Sequence, residues 1–510
     1  MPSATLLTGM KFSRRQFGTG ILTTATGTSL FHGSRLPAAP RPKLMVLLIA
    51  EQFRPDYLDE LWGAFSPGGF RRLIEAGSYF PDCRFESGSF TSSGMATLLT
   101  AAWPSFHGIV AERWFNSGSG QPEAAAAGHL KVGTLLDSVL GREHNRVFLI
   151  ASGGATSLLR GITGAATFLS VDGQWNVTRG DAPGWLRSFQ ESNARAKWQG
   201  SSWYPAGTSA RAGTVPLRVL DGSDFPALFE ASPFALANQF GVAREIVLQE
   251  RAGALDGVDV IALAIGSLGS LGLETGAESP LMRDLVLHLD RQIGSLADLL
   301  DDRVGRGNYT IAFTATHGLD SRTSQTASVD GAEIANAAQK RLSDTFDTGP
   351  IRRNYVQAWL YPFLYLNRKS LREANGDLAD ARRIAAQAGL DTGKLAGYYT
   401  ADGDCSYSGP WRERFANTCF NGRSGDVMFS YPPHFLESAA AVTGGSLYNY
   451  DTRVPLLFYG PAFRAQTFED AVSAVDVSPT LARVLGVGTP ASGTGRVLGE
   501  AIAPPPRTGR

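Results

Sequence analysis

Five short, predominantly apolar runs leave this chain few folds to choose from: Leu44–Ala50, Val147–Ala151, Val258–Ile265, Tyr309–Thr314 and Val454–Tyr459. None alternates with polar residues, so each reads as a strand covered on both faces. Helical patterns separate them, at Gly69–Ala76, Val132–Leu140, Pro233–Glu250, Pro280–Asp301, Leu371–Ala388 and Pro479–Val487. This alternation predicts an α/β fold, a mostly parallel sheet with helices on both faces. Such sheets bind ligands beyond the carboxyl ends of their strands. Glu51 follows the first run and Thr316-His317 follows the Tyr309 run, which makes both places candidates.

A third candidate lies in Phe90–Val110, FTSSGMATLLTAAWPSFHGIV. A Gly/Ser-rich extended segment ends at Thr91, and a helical run from Gly94 to Thr100 begins just behind it. Unpaired amides and the helix dipole favour an anion there, which suits a hydroxyl that attacks a phosphate or sulfate. An ordinary Thr N-cap occupies the same place, and the segment alone does not separate the two readings.

The order of several further segments is more specific. KLMVLLIAEQ (Lys43–Gln52) is followed by RPDYL, GGFRRLIEAG and the Thr91 segment, which closes on His107-Gly108-Ile109. Later come AFTATHGLDSR (Ala312–Arg322), RSGDVMF (Arg423–Phe429), GGSLYNYDTRVPLLFYGP (Gly444–Pro461) and VDVSPTLARVLGV (Val475–Val487). From Lys43 to Gly499 this set resembles the alkaline phosphatase superfamily. The nearest branch is the exported, phosphate-irrepressible alkaline phosphatases with a Thr nucleophile, related to type I phosphodiesterases. The resemblance implies a three-layer sandwich with cap-like insertions, expected at about 172–232 and 390–421, both rich in aromatic residues. Those rings either contact a ligand or pack against one another.

It also implies two zinc ions held by Asp and His, and here the chain departs from the pattern. The first-strand Asp is Glu51, while the nucleophile is kept as Thr91. The Asp-Tyr-x-Gly-His pair falls within Ser267–Gly276, which puts Gly269 and Leu273 at its ligand positions. The Asp-His pair is Thr316-His317, and the final His is Gly444. The phosphate-binding Asn aligns near Glu112, and a Lys-x-Arg pair falls on Gly153 and Ala155. Outside the leader the histidines are His107, His129, His144, His288, His317 and His434, and none lies in the windows of the two missing imidazoles. A two-zinc centre is therefore not expected. What remains is either no metal or a single divalent ion, zinc first, held by Glu51, Thr91 and His317. A metal-free variant would have Thr91 attack, His317 act as base and Glu51 orient it.

The N-terminal FSRRQFGTGILTTATGTSLF (Phe12–Phe31) has the form of a twin-arginine signal, with Arg14-Arg15, Phe17 and a mild apolar run. Cleavage is expected near Leu36–Ala39, giving a signal over 1–39, a domain over 40–503 and a tail over 504–510, in a periplasmic or secreted protein. That run is too short for a stable membrane span. Lys plus Arg and Asp plus Glu each number 47, so nothing in the charge suggests nucleic acid as a partner. The mature chain has Cys83, Cys405 and Cys419. A Cys405–Cys419 disulfide would stabilise by about 3 kcal/mol in the chain-entropy model, and two free thiols are the alternative.

Two functional expectations follow. One is an exported superfamily member with a degenerate metal site, impaired in two-zinc phosphate-ester hydrolysis and binding a small anionic ester or another ligand. The other is a phosphoric or sulfuric ester hydrolase that uses Thr91 with one metal or none.

Overall fold

The first strand, Leu44–Ala50, is buried along its whole length and forms the middle of the principal sheet. The structure, a computed structural model, describes residues 41–178, 181–208, 214–320, 327–437 and 444–504. The expected signal and all but the start of the expected tail lie outside these residues.

The sheet runs in the order Gln466–Thr467, Gly77–Arg84, Arg453–Tyr459, Tyr309–Ala315, Leu44–Ala50, Asp259–Ile265, Arg146–Ala151, Ala166–Val171, Gln174–Val177. The five strands from Tyr309–Ala315 to Ala166–Val171 are parallel, and Arg453–Tyr459 and Gln174–Val177 run antiparallel to their neighbours. All five apolar runs of the sequence are strands of this sheet. Ala50 stands level with Ile265 on one side and Ala315 on the other. The Glu51 amide then bonds Ile265 O at 3.0 Å and the Thr316 amide bonds Ala50 O at 3.0 Å. Glu51, Gly266 and Thr316 thus leave the sheet at one edge, where its backbone pairing ends.

Helices Phe70–Glu75, Leu135–Leu140, Pro233–Gln249, Pro280–Leu300 and Val477–Leu485 match predicted ones. The expected Leu371–Ala388 helix is instead two helices, Arg368–Glu373 and Leu378–Leu390. Asn375 takes a left-handed φ of 54° and Asp377 caps the second helix by accepting from the Asp380 amide, so Asn-Gly-Asp breaks the run.

The 390–421 insertion is part of a larger unit. Strands Val356–Leu360, Phe363–Leu366, Val427–Ser430 and Gly397–Thr400 form a second, antiparallel sheet. Helices Gly331–Phe346 and Leu378–Leu390 share a separate core with it, including Ile334, Leu364, Ala385 and Phe429. The aromatic residues of both insertions largely pack against their own surroundings. Trp175 and Trp203 are buried, with their indole N–H groups on Asn238 Oδ1 (3.1 Å) and Asp284 Oδ2 (2.6 Å), and Tyr399 stacks on Phe415.

Cys405 and Cys419 are free thiols, the second of the two alternatives left open by the sequence, and the Cys405 sulfur accepts from the Tyr407 amide. Cys83 is buried, as a small apolar side chain would be. No helix among the described residues is long and apolar enough to cross a membrane.

Candidate active site

Thr91 is the first residue of a buried helix that runs Thr91–Thr100, three residues earlier than the pattern suggested. The N-cap is Phe90, whose amide is satisfied by Ser93 Oγ at 2.9 Å. The Thr91 hydroxyl therefore has no capping task, and the N-cap reading fails. It stands 3.3 Å from Nε2 of His317 instead.

His317 follows the Tyr309–Ala315 strand and is buried. Its Nδ1 lies 2.7 Å from the Gly318 carbonyl, which can only accept, so Nδ1 carries the proton. Nε2 then presents its lone pair to the Thr91 hydroxyl. Burial pushes the imidazole pKa down to about 4, partly offset by the Gly318 hydrogen bond, so the ring is neutral at pH 7.

Glu51 does not orient this imidazole, because the Gly318 carbonyl already holds Nδ1. Its Oε1 accepts from the Ala155 amide at 3.1 Å. Burial pushes its pKa up to about 8; nearby Glu112 adds to this and the Ala155 and Gly154 amides oppose it. The metal-free arrangement with Glu51 as third member is corrected on this point: the structure gives a Thr91–His317 pair.

Of the other aligned positions, Glu112, Gly269, Leu273 and Gly444 line the same space, a pocket of about 340 Å³ that Gln52 and Tyr361 also border. A side chain at Gly269 would put its Cβ 2.3 Å from Glu51 Oε2, so the longer Glu occupies that room. A Cβ on Gly444 would lie 3.3 Å from His317 Cε1. Gly153 has φ 72°, and a Cβ there would sit 2.8 Å from the Gly266 Cα, so no long cationic side chain stands at this position. Glu112 is half-buried, and its carboxylate accepts from the Ser92 amide at 2.7 Å and from the Ser92 hydroxyl. Burial raises its pKa. It takes a first-turn amide that would otherwise face an anion.

Sequence reasoning missed several lining residues, among them Gln52, Tyr361 and Glu437. Tyr361 and Glu437 come from the inserted unit, whose approach to the pocket has no local signal. Gln52 stood next to Glu51 in the quoted strand, and its φ of 59° is visible only in the backbone.

Residues 45–435 match the model of the family described as type I phosphodiesterase / nucleotide pyrophosphatase. The chain belongs to this family. Among curated relatives it is 23% identical to alkaline phosphatase PafA of Elizabethkingia meningoseptica, covering 91% of this chain and 95% of that one. It is 22% identical to alkaline phosphatase PhoV of Synechococcus elongatus, over 91% and 93% of the two chains. A crystal structure of PafA superposes with a TM-score of 0.82 at 21% identity, covering 91% of this chain and all of that one. The type I phosphodiesterase fold is thus shared over nearly the whole described chain, with the central sheet and flanking helices in place.

The residues present do not fit the zinc pair that the resemblance implied. Zinc sites draw three or four ligands from Cys, His, Asp and Glu. In this pocket those are Glu51, Glu112, Glu437 and His317, of which Glu112 is taken by Ser92 and Glu437 by the Tyr431 hydroxyl, while Gly269, Leu273 and Gly444 have no donor side chain. Thr316 keeps a buried hydroxyl without a partner where the pattern has a carboxylate. Glu51, Thr91 and His317 are the side chains that would hold a single ion.

Proposed function

We propose that this protein is an exported member of the type I phosphodiesterase family whose metal site has degenerated, and that it does not carry out two-zinc hydrolysis of phosphate esters. The observation that carries this reading is the contact between Glu51 and Gly269. A carboxylate at residue 269 and a carboxyl at residue 51 would compete for one space, and Glu51 already fills it. Phosphate-monoester hydrolysis needs rate enhancements of up to roughly 10²¹, and paired metals stabilise the attacking and leaving oxygens together. The lining residues offer no substitute for that stabilisation, since Glu112 and Glu437 are acidic and no Lys or Arg is among them. Zinc content of the purified protein, measured beside turnover of aryl phosphate mono- and diesters, tests the reading. Less than one equivalent of zinc and no turnover dependent on Thr91 is the expected result. Two equivalents with turnover abolished by Thr91→Ala would overturn it.

A second reading is favoured by one specific contact. Thr91 Oγ faces an imidazole whose tautomer is set by Gly318, which is how a neutral base activates a hydroxyl. Here the protein is an ester hydrolase that needs no metal for its nucleophile.

A further inference from the structure

An anionic ester meets poor company in this pocket. Among the described residues that line it there is no Lys or Arg, whereas Glu51, Glu112 and Glu437 contribute three carboxyl groups. The Ser92 amide, at the start of the Thr91 helix, is already held by Glu112. Phosphate or sulfate would have to displace that carboxylate and then remain beside it, against the local field. The remaining walls, Phe90, Leu273 and Tyr361, suit an uncharged group.

One polar side chain in the pocket has unmet capacity. Gln52 is only 5% exposed, yet its Oε1 has no hydrogen-bond partner. Its backbone is held at φ 59°, which costs free energy for a residue other than Gly, and such strain gathers at functional sites. Gly272 makes room for the carboxamide, since a Cβ there would lie 2.3 Å from Oε1. Oε1 only accepts and faces Gly272, so a role toward an oxygen that gains charge falls to Nε2, whose two N–H donors stand at the other end of the same carboxamide in a residue that lines the pocket.

We propose that Thr91, His317 and Gln52 form an acyl-transfer centre for uncharged carboxylic esters, an inference that rests on the metal-independent reading above. Thr91 Oγ bonds to the acyl carbon while its proton passes to His317 Nε2. The bond from acyl carbon to the alcohol oxygen breaks, and the departing alkoxide takes the proton from His317. Water then attacks the acyl-Thr91 ester, giving its proton to Nε2. The Thr91 oxygen leaves with that proton, which frees the carboxylic acid and restores the hydroxyl. Gln52 donates to the carbonyl oxygen in both steps.

The test uses the purified full chain in EDTA, with p-nitrophenyl butyrate as the ester and p-nitrophenyl phosphate alongside. The expected result is a burst of nitrophenol and a butyryl adduct that peptide mass spectrometry places on Thr91, with the phosphate untouched. Thr91→Ala removes both burst and adduct, and Gln52→Ala lowers kcat by roughly 10²–10³ with KM nearly unchanged, as for one oxyanion donor. Absence of an adduct on the wild-type protein, a measurement that depends on no variant folding, would overturn the inference, as would ester turnover retained in Thr91→Ala. Zinc content separates the failures: a metal-free protein inert toward the ester sinks this inference alone, whereas two zinc ions with phosphate turnover sink the proposed function.

Discussion

Replacing Glu51 by Gln asks whether the carboxyl at the pocket floor is neutral in the native protein. The substitution keeps the size and the oxygen that accepts from Ala155, and removes only the titration. Burial shifts the pKa from 4.5 to about 8. The folded state therefore binds the proton more tightly than the unfolded chain. The stability this gives is complete below pH 4.5 and is lost as pH rises through about 8. At about 1.4 kcal/mol per pH unit, the gap sets a ceiling of about 5 kcal/mol, and relaxation of the pocket brings the expected loss to on the order of 3 kcal/mol between pH 5 and pH 9. Urea unfolding of both proteins at pH 5, 7 and 9 measures it, and the other buried acids cancel in the comparison. Glu51→Gln should be close to wild type at pH 5 and more stable at pH 9 by about that amount. Parallel curves across the range would mean that Glu51 is already ionised. That result points to a cation beside it and refutes the argument for a metal-poor site. Added zinc should leave the wild-type curve unchanged.

Gly269→Ala places a methyl group 2.3 Å from Glu51 Oε2 and should cost about 1–3 kcal/mol in unfolding free energy; Glu51→Asp in the same chain should recover part of it, since the carboxyl clash is relieved while a 2.9 Å approach to the residue-51 Cβ remains. Glu112→Gln removes the carboxylate charge beside the Ser92 amide, and phosphate should then bind more tightly than to the wild type, a difference calorimetry will report. His107 is buried, with Nδ1 accepting from the Ile109 amide and Nε2 beside Thr97 Oγ1; burial first, then Arg423, push its pKa down to about 3. Stability from this neutral ring is present above pH 6.5 and is lost as pH falls toward 3, so the wild type should lose on the order of 3 kcal/mol more than His107→Gln between pH 7 and pH 4.

The parallel sheet was legible because strands covered on both faces need residues such as Leu44–Ala50, and the short length of these runs and the helical patterns between them favoured strand over buried helix. The second sheet was not. Its strands have four or five residues and mixed burial, as in Val356–Leu360, so no period rises above the surrounding loops. Thr91, Glu51 and His317 could be found from strand and helix ends, because a parallel sheet delivers its strand ends to one edge. Their partners could not. Whether His317 Nδ1 meets a carboxylate or a backbone carbonyl depends on ångström-scale placement, and Gly318 is its neighbour in every conformation of the chain. The left-handed turn at Gln52 was equally hidden, since Gln carries no propensity for it.

The substitutions in this pocket interlock, which bears on how the site came to its present form. Loss of ligands one by one leaves holes where side chains were and unpaired groups facing them. Around Glu51 the opposite holds: the extra methylene carries the carboxyl into the space that Gly269 vacates, and the Ala155 amide receives it. Glu112 likewise satisfies the Ser92 amide, and Gly444 leaves the imidazole of His317 room beside Thr91. The unmet groups at this end of the sheet are few, the hydroxyl of Thr316 and Oε1 of Gln52. On the proposed reading, a pocket filled around a carboxyl, with Thr91 and His317 kept in contact, has the composition expected of selection for an uncharged ligand rather than of simple decay.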